Sequence, residues 1–199
     1  IINLRALVDL GQRPDEAHYY LGRVYEDRGE ELEAIDSYDR VGPSREFFDA
    51  MRRAAELRLN TGDTRDFQDG FKRARTNHPG QAEQLYGLEA ELLSEIDEKE
   101  LAIEIYSEAL DLLPESVSLL YGRAMTFETL GDISGMESDL RAILVFKPNN
   151  ATTLNALGYT LTVHTERYQE AAVLIEKALE LSPGEPAILD SLGWVYFKL

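Results

Sequence analysis

The sequence predicts an all-α fold, a right-handed α-solenoid in which antiparallel helix pairs stack one after another. One observation is a proline that recurs at intervals of 35, 34 and 35 residues, each time five residues after an Ala or Ile. These prolines are Pro79, Pro114, Pro148 and Pro183. A second observation is a Leu-Gly-aromatic triplet at residues 157–159 that recurs at residues 192–194. A fixed period of about 34 residues is typical of helix–turn–helix repeats and disfavours an unrelated helical bundle.

The period divides the chain into five full helix pairs with a partial unit at each end. Apolar residues at helical spacing, prolines near helix starts and glycines near helix ends give the boundaries. The predicted partial units are 1–11 and 186–199, and the predicted full units are 14–46, 47–80, 82–115, 117–149 and 151–184.

The first full unit shows why the two helices of a pair can pack closely. Gly22 and Ala34 are small where these helices should cross, so the backbones can approach each other. Tyr25 and Tyr38 should then fill the space toward neighbouring helices. The Gly-Pro pair at 42–43 should end the second helix early, because proline cannot continue a helix and restricts the residue before it.

The later units vary this pattern. In 47–80, Phe67 occupies the position that Ala34 has in the first unit. It should therefore wedge its two helices apart or turn toward a neighbouring unit, and Gly62-Asp63 should make the turn between them. The unit 151–184 is the most regular of the five.

These positions together resemble the tetratricopeptide repeat, a helix–turn–helix unit of about 34 residues, over nearly all of the chain. The C-terminal quarter contains LNALGYTL at residues 154–161 and PAILDSLGWVY at residues 186–196. These strings are similar to the C-terminal repeat arrays of large Gram-negative lipoproteins of the Pseudomonas type, which bind a periplasmic C-terminal processing protease. No Cys occurs here, so a lipid anchor would lie outside this sequence.

Composition limits the partners that the surface can take. The chain has 20 Lys and Arg against 37 Asp and Glu, a formal net charge of −17. Such a surface repels nucleic-acid phosphates and anionic lipid headgroups, and it favours basic or neutral proteins or extended peptides. The alternative is that the acidic side chains only keep an elongated protein soluble.

The sequence offers no recognisable catalytic or cofactor site. The absence of cysteine excludes disulfides, thiolate metal sites and Cys nucleophiles. His18, His78 and His164 lack a second His or a carboxylate pair at metal-ligand spacing. The acidic run at 89–100 lacks the residue order of a calcium loop, and the glycines form no phosphate-binding loop. We therefore expect a protein that is not an enzyme and holds no cofactor or metal.

In tetratricopeptide arrays the first helix of each pair lines the concave surface, and this resemblance places a candidate protein-binding groove. Residues a few positions from the packing positions should project into it. The predicted groove residues are Tyr19, Arg23, Glu26, Arg52, Glu56, Glu91, Tyr121, Met125, Asn155, Tyr159 and Trp194. Aromatic side chains and Met would anchor a partner, and carboxylates would pair with its Lys or Arg. The alternative is that Tyr121, Tyr159 and Trp194 are buried between repeats.

One known use of such a groove is disfavoured. Repeats that clamp the C-terminal carboxylate of heat-shock chaperones carry Lys or Arg with Asn on successive first helices. Here Arg23, Arg52 and Asn155 are too dispersed for that clamp, and the other positions hold mainly Tyr, Glu, Met and Gly. The sequence therefore predicts a partner other than a chaperone C-terminus.

The lipoprotein resemblance implies an adaptor. Lipoproteins of this kind face the periplasm from the outer membrane and gather a protease with its cell-wall hydrolase substrates. We expect the chain to hold partner proteins in its groove and to deliver such substrates to a periplasmic processing protease, attached to the membrane only through an anchor outside this chain. A cytoplasmic location is the alternative.

Two other readings of the function stay open. In the first, the chain is a structural or oligomerisation segment of an envelope secretion, pilus or polysaccharide-export assembly, and it self-associates through exposed end helices. Alternatively, it would regulate an enzyme domain encoded outside it, as in repeat-bearing glycosyltransferases. The sequence opens on Ile1 without Met and stops at Leu199 within a predicted helix, so we expect a piece of a longer protein.

Overall fold

The computed structural model describes residues 1–60 and 64–199, and these residues form twelve α-helices, one short 3₁₀ turn and no β-strand. The helices are α1 Ile2–Asp9, α2 Pro14–Glu26, α3 Glu31–Asp39, α4 Phe47–Asn60, α5 Thr64–Asn77, α6 Ala82–Glu95, α7 Lys99–Leu112, α8 Val117–Leu130, α9 Ile133–Phe146, α10 Ala151–His164, α11 Tyr168–Leu181 and α12 Pro186–Lys198. The predicted all-α class is confirmed. The turn predicted at Gly62-Asp63 lies outside the described residues.

The chain divides into two compact units, residues 1–92 (unit 1) and 93–199 (unit 2). Within each unit, consecutive helices joined by short connections pack against each other, for example α2 on α3 and α10 on α11. We call the surface formed by the first helix of each pair the first-helix face. It consists of α2, α4 and α6 up to residue 92 in unit 1, and of α8, α10 and α12 in unit 2.

Side chains fix where several of the helices begin, including the first helices α2, α8, α10 and α12. Pro14 and Pro186 stand at the first position of α2 and α12, where the missing N–H is not needed. Ser116, Asp132 and Asn150 precede α8, α9 and α10, and each accepts a hydrogen bond from the backbone N–H three residues later. These starts set which residues reach the first-helix face.

Gly22 makes room for the aromatic ring of Tyr38 on α3. A Cβ at this position would lie 2.4 Å from Cε1 of Tyr38. In unit 2 a glycine also lies against the backbone of the neighbouring helix. A Cβ at Gly158 would lie 3.0 Å from the carbonyl oxygen of Ala171 and 2.5 Å from Cγ1 of Ile175.

The Gly-Pro pair at 42–43 acts as predicted. Helix α3 ends at Asp39, and the backbone N–H of Gly42 donates to Oδ1 of Asp15 at 2.8 Å, which ties the loop back to α2. Phe67 is fully buried in unit 1, with its ring edge-on to Phe71 at 5.1 Å. None of the described helices is both long and apolar enough to cross a lipid bilayer.

Candidate protein-binding faces

The first-helix face of unit 1 carries a hydrogen-bonded network between α2 and α4. The Tyr19 hydroxyl donates to Oδ2 of Asp49 at 2.6 Å, and Nε of Arg53 donates to the same oxygen at 3.0 Å. Arg53 also reaches both carboxylate oxygens of Glu26 at 3.2 Å. Arg23 donates to the Tyr19 hydroxyl at 3.3 Å. The predicted residues Tyr19, Arg23 and Glu26 are thus brought together, but by partners within the protein.

Ionisation of this network follows from its hydrogen bonds. Burial raises the pKa of Tyr38, and so does the hydrogen bond that its hydroxyl donates to Glu26 at 2.5 Å. Burial also raises the pKa of Asp49, but hydrogen bonds from Tyr19 and Arg53 outweigh it and hold that pKa below its ordinary value. The Asp49 carboxylate is therefore held in the charged form that binds Arg53.

The other predicted residues of unit 1 lie on α4 and α6. Arg52 forms an ion pair with Glu91 at 2.7 Å, which links the two first helices. Glu56, which lies between Arg52 and Glu91 in the sequence, is exposed to solvent. At Gly87 an added Cβ would meet no atom within 4 Å, so the face is open at that position.

The first-helix face of unit 2 has a different character. Met125, Tyr159 and Trp194 lie 34 and 35 residues apart on α8, α10 and α12, and we call them the middle row. Tyr159 and Trp194 are 44% and 42% exposed, so they are not buried between repeats. Met125 is half-buried against the core of the unit. The positions in unit 1 that correspond to this row hold Arg23, Glu56 and Glu91.

Four positions before the middle row on each helix lies a second row, Tyr121, Asn155 and Asp190. Tyr121 is half-buried, and its pKa is raised by burial and by the nearby carboxylate of Glu128. Oδ1 of Asn155 is buried without a hydrogen-bond partner among the described residues. Asp190 is exposed. Within this row, Asp190 is therefore the residue that is most accessible to a partner.

The end of α12 carries a cluster of aromatic side chains. The Trp194 ring stacks on Phe197 with 5.6 Å between ring centroids, and Nζ of Lys198 lies 4.9 Å above the Trp194 ring. Phe197 is 78% exposed. Tyr196 points elsewhere, since its hydroxyl donates to Glu176 of α11 at 2.7 Å.

A cavity of about 520 Å³ lies in unit 1 between α1, α2 and α3, and the sequence gives no sign of it. Leu21 and Tyr25 line it together with the partly exposed His18. Burial and the charge of Arg40 lower the pKa of His18, so its imidazole is neutral near pH 7. In the described part of the chain, no three His, Cys, Asp or Glu side chains are grouped as metal ligands.

Sequence reasoning missed Asp49 and Arg53, which organise the face of unit 1. They lie four residues apart on α4, a spacing that places both on one side of a helix. That spacing predicts their mutual ion pair, found at 3.0 Å. Their contacts with Tyr19 and Glu26 depend on how α2 packs on α4, which no local pattern records.

Comparison with known proteins agrees with this architecture. Residues 3–46 match the family model for the tetratricopeptide repeat. The chain is 43% identical over 184 residues to a TPR repeat-containing protein of Pseudomonas aeruginosa. The match covers 92% of this chain and 31% of that protein, so the chain spans about a third of the length of this relative.

Solved structures show the same fold. The TPR protein YrrB, described as having an unusual peptide-binding site, superposes with a TM-score of 0.56 at 16% identity, over 94% of this chain and 96% of that one. The first TPR of Spaghetti, bound to the HSP90 peptide SRMEEVD, gives a TM-score of 0.54 at 19% identity, over 59% of this chain and 92% of that one. The predicted solenoid class is thereby confirmed.

Proposed function

We propose that this chain, which folds as a tetratricopeptide-repeat protein, is a non-catalytic adaptor that holds partner proteins on its first-helix faces. The observation that carries the proposal is the exposure of Tyr159 and Trp194, 44% and 42%, at matching positions of neighbouring repeats. Exposed aromatic side chains in register offer large apolar contact area, and aromatic residues are the commonest anchors of protein interfaces.

The structural neighbours support a peptide or protein as the partner. YrrB is described as having a peptide-binding site, and the Spaghetti repeat is bound to a peptide of HSP90. We carry over peptide binding but not the HSP90 peptide. Arg52 is paired with Glu91 and Arg23 donates to Tyr19, so these two side chains are already engaged by the protein itself.

We further propose that the chain works on the periplasmic side of the outer membrane, as part of a lipoprotein that delivers cell-wall hydrolases to a processing protease. The proposal is motivated by the strings at 154–161 and 186–196 and by the 43% identity to the Pseudomonas protein. A cytoplasmic adaptor is the alternative. In either place the net charge of −17 favours basic or neutral partner segments.

The second candidate is an oligomerisation segment, and the observation that favours it is the apolar surface of α12. Leu189, Trp194 and Phe197 are all exposed there. An apolar surface of this kind is typical of contacts between proteins. A dimer that forms through α12 and captures no other protein would favour this candidate.

The experiment is affinity capture from a Pseudomonas envelope extract with the 199-residue chain as bait, followed by mass spectrometry. The parent chain is compared with the double variant Tyr159→Ala/Trp194→Ala. Both side chains are exposed, so helicity measured by circular dichroism should not change. We expect the parent to retain specific proteins, including a processing protease or peptidoglycan hydrolases, and the variant to lose most of them.

Tyr20→Ala is the matched control, because Tyr20 is 45% exposed, as Tyr159 is, but lies on α2 of unit 1. It should capture the same proteins as the parent. Equal capture by the double variant and the parent contradicts binding at this face. Retention of copies of the full-length protein alone supports the oligomerisation segment instead.

A further inference from the structure

The two first-helix faces differ in which of their charged side chains are paired within the protein. In unit 1, Arg53 is shared between Asp49 and Glu26, and Arg52 is paired with Glu91. A ligand that brings charged groups to this face has to break those pairs, and a basic ligand also meets the positive charge of Arg23. Each ion pair that the ligand forms is offset by an internal ion pair that is lost. Binding at this face therefore gains little free energy from charge.

In unit 2 the carboxylates beside the middle row are not neutralised by the fold. Glu128 lies three residues after Met125 on α8, and Asp190 lies four residues before Trp194 on α12. Neither carboxylate forms an ion pair within residues 1–60 or 64–199. The face thus presents apolar subsites flanked by negative charge.

Trp194 already holds a cation in the free protein. Nζ of Lys198 lies 4.9 Å above its ring, within the range of a cation–π contact. Both side chains are on the last turns of α12 and exposed. The site can therefore accept an ammonium group at the aromatic surface, and Lys198 occupies the place that a ligand cation would take.

We infer that the first-helix face of unit 2 is the docking face, and that its occupant is an extended protein segment in which apolar side chains alternate with Lys or Arg. This inference rests on the proposed adaptor function. Apolar side chains of the segment contact Met125, Tyr159 and Trp194, and its basic groups pair with Glu128 and Asp190. Unit 2 has 18 Asp and Glu against 7 Lys and Arg, so its field attracts such a segment. A second copy of this chain carries −17 and is repelled.

The test begins with a random dodecapeptide phage library panned on the immobilised 199-residue chain. Enriched peptides are synthesised with a fluorescein label, and their dissociation constants are measured by anisotropy at low and high NaCl. We expect the enriched sequences to combine Lys or Arg with aliphatic or aromatic residues. Their binding should weaken at high salt, since exposed charge pairs are screened.

Three variants locate the site. The double charge reversal Glu128→Lys/Asp190→Lys should raise the dissociation constant about tenfold or more, because two attractions become repulsions. Lys198→Ala should lower it about twofold to threefold, because an internal competitor for Trp194 is removed. Glu104→Lys/Glu180→Lys is the matched control, since both carboxylates are exposed in unit 2 but lie on the second helices α7 and α11, and it should change binding by less than about twofold.

Enrichment of acidic peptides, no enrichment at all, or equal weakening by Glu104→Lys/Glu180→Lys and by the double reversal on the first-helix face overturns the inference. The adaptor function is judged separately, by envelope capture with Tyr159→Ala/Trp194→Ala. If that variant loses its partners while the charge reversal leaves peptide binding unchanged, the adaptor function stands and the basic segment is wrong. If the aromatic variant still captures every partner, the proposed adaptor function at this face is wrong, and the inference that rests on it is wrong too.

Discussion

Units 1 and 2 share the way their helices are tied together but differ in what they present on the first-helix face. On the first-helix face of unit 1, hydrogen bonds join the side chains of Tyr19, Asp49, Arg53 and Glu26. Unit 2 presents Tyr159 and Trp194 to solvent. The same repeat therefore serves two purposes, because positions that pack the helices are separate from positions that face outward.

The shared device is an arginine on a first helix that bonds both neighbouring helices. In unit 1, Arg58 of α4 donates to Asp39 at the end of α3 at 2.5 Å and to Asp66 of α5 at 3.2 Å. In unit 2, Arg123 of α8 donates to Ser107 of α7 and to both carboxylate oxygens of Asp139 on α9, each at 2.8 Å. Each arginine thus links three consecutive helices within its unit.

The largest expected effect is the loss of stability when one of these two arginines is replaced, and the loss should differ between them. Arg123→Met leaves the carboxylate of Asp139, whose side chain is 6% exposed, buried without its cation, and this should cost about 3 kcal/mol of unfolding free energy. Arg58→Met leaves two carboxylates that are partly exposed and can regain water, so it should cost about half as much. Urea unfolding followed by circular dichroism measures both.

Adding Asp139→Asn to Arg123→Met removes the buried charge and should restore part of the loss. If Arg58→Met proves the more damaging of the two single variants, the assignment of the stronger buried charge to unit 2 is wrong.

A smaller effect tests whether both units depend on glycine at the helix crossing. Ala at Gly22 would collide with the buried Tyr38 ring, and Ala at Gly158 would press on the Ala171 carbonyl. Each substitution should destabilise the chain by about 1–2 kcal/mol, because overpacking outweighs the better helix propensity of Ala. The contact at Gly158 involves backbone, which yields less than a side chain, so its variant should be the less stable.

Gly87→Ala and Gly193→Ala provide the controls for these variants in units 1 and 2. An added Cβ meets nothing within 4 Å at either position, although both lie inside helices. They should raise the free energy of unfolding by up to about 1 kcal/mol, and the thermal midpoint should rise slightly with it. A loss of stability at Gly87 or Gly193 equal to that at Gly22 would show that backbone flexibility, not packing, explains the results.

The smallest expected effect is the contribution of Asp49, on the first-helix face of unit 1, to the pH dependence of the free energy of unfolding. The pKa of Asp49 is lowered in the folded chain, so its contribution to stability is present above its unfolded pKa and is lost as pH falls through the folded pKa. Because the Asp49 side chain is 48% exposed, the change should be under about 1 kcal/mol. Urea unfolding at pH 7 and pH 3 should show a smaller difference for Asp49→Asn than for the parent chain.

The side chain of Met125 in unit 2 has no ionisable group, so Met125→Leu is a control that should leave the pH dependence as it is in the parent chain. An equal pH dependence in Asp49→Asn and the parent contradicts a stabilising role for the Asp49 carboxylate.

The candidate site was predictable in part. The repeat period assigned residues such as Tyr159 and Trp194 to matching positions of first helices, because a period of about 34 residues repeats the same helical register. It did not predict that Tyr19 and Glu26 are engaged by Asp49 and Arg53, since those bonds join residues 27 and 30 apart in the chain. It also did not predict the cavity beside His18, which three separate helices enclose.

The sequence by itself determined that the chain is helical, that the helices come in pairs, and that apolar positions recur where helices pack. Local propensity, capping and periodicity are properties of neighbouring residues, so they can be read without coordinates. Only the tertiary structure decided that Gly22 accommodates Tyr38, that Arg53 bonds Glu26 of another helix, and that Tyr159 stays exposed. These outcomes depend on the distances between side chains of different helices, and helix packing sets those distances.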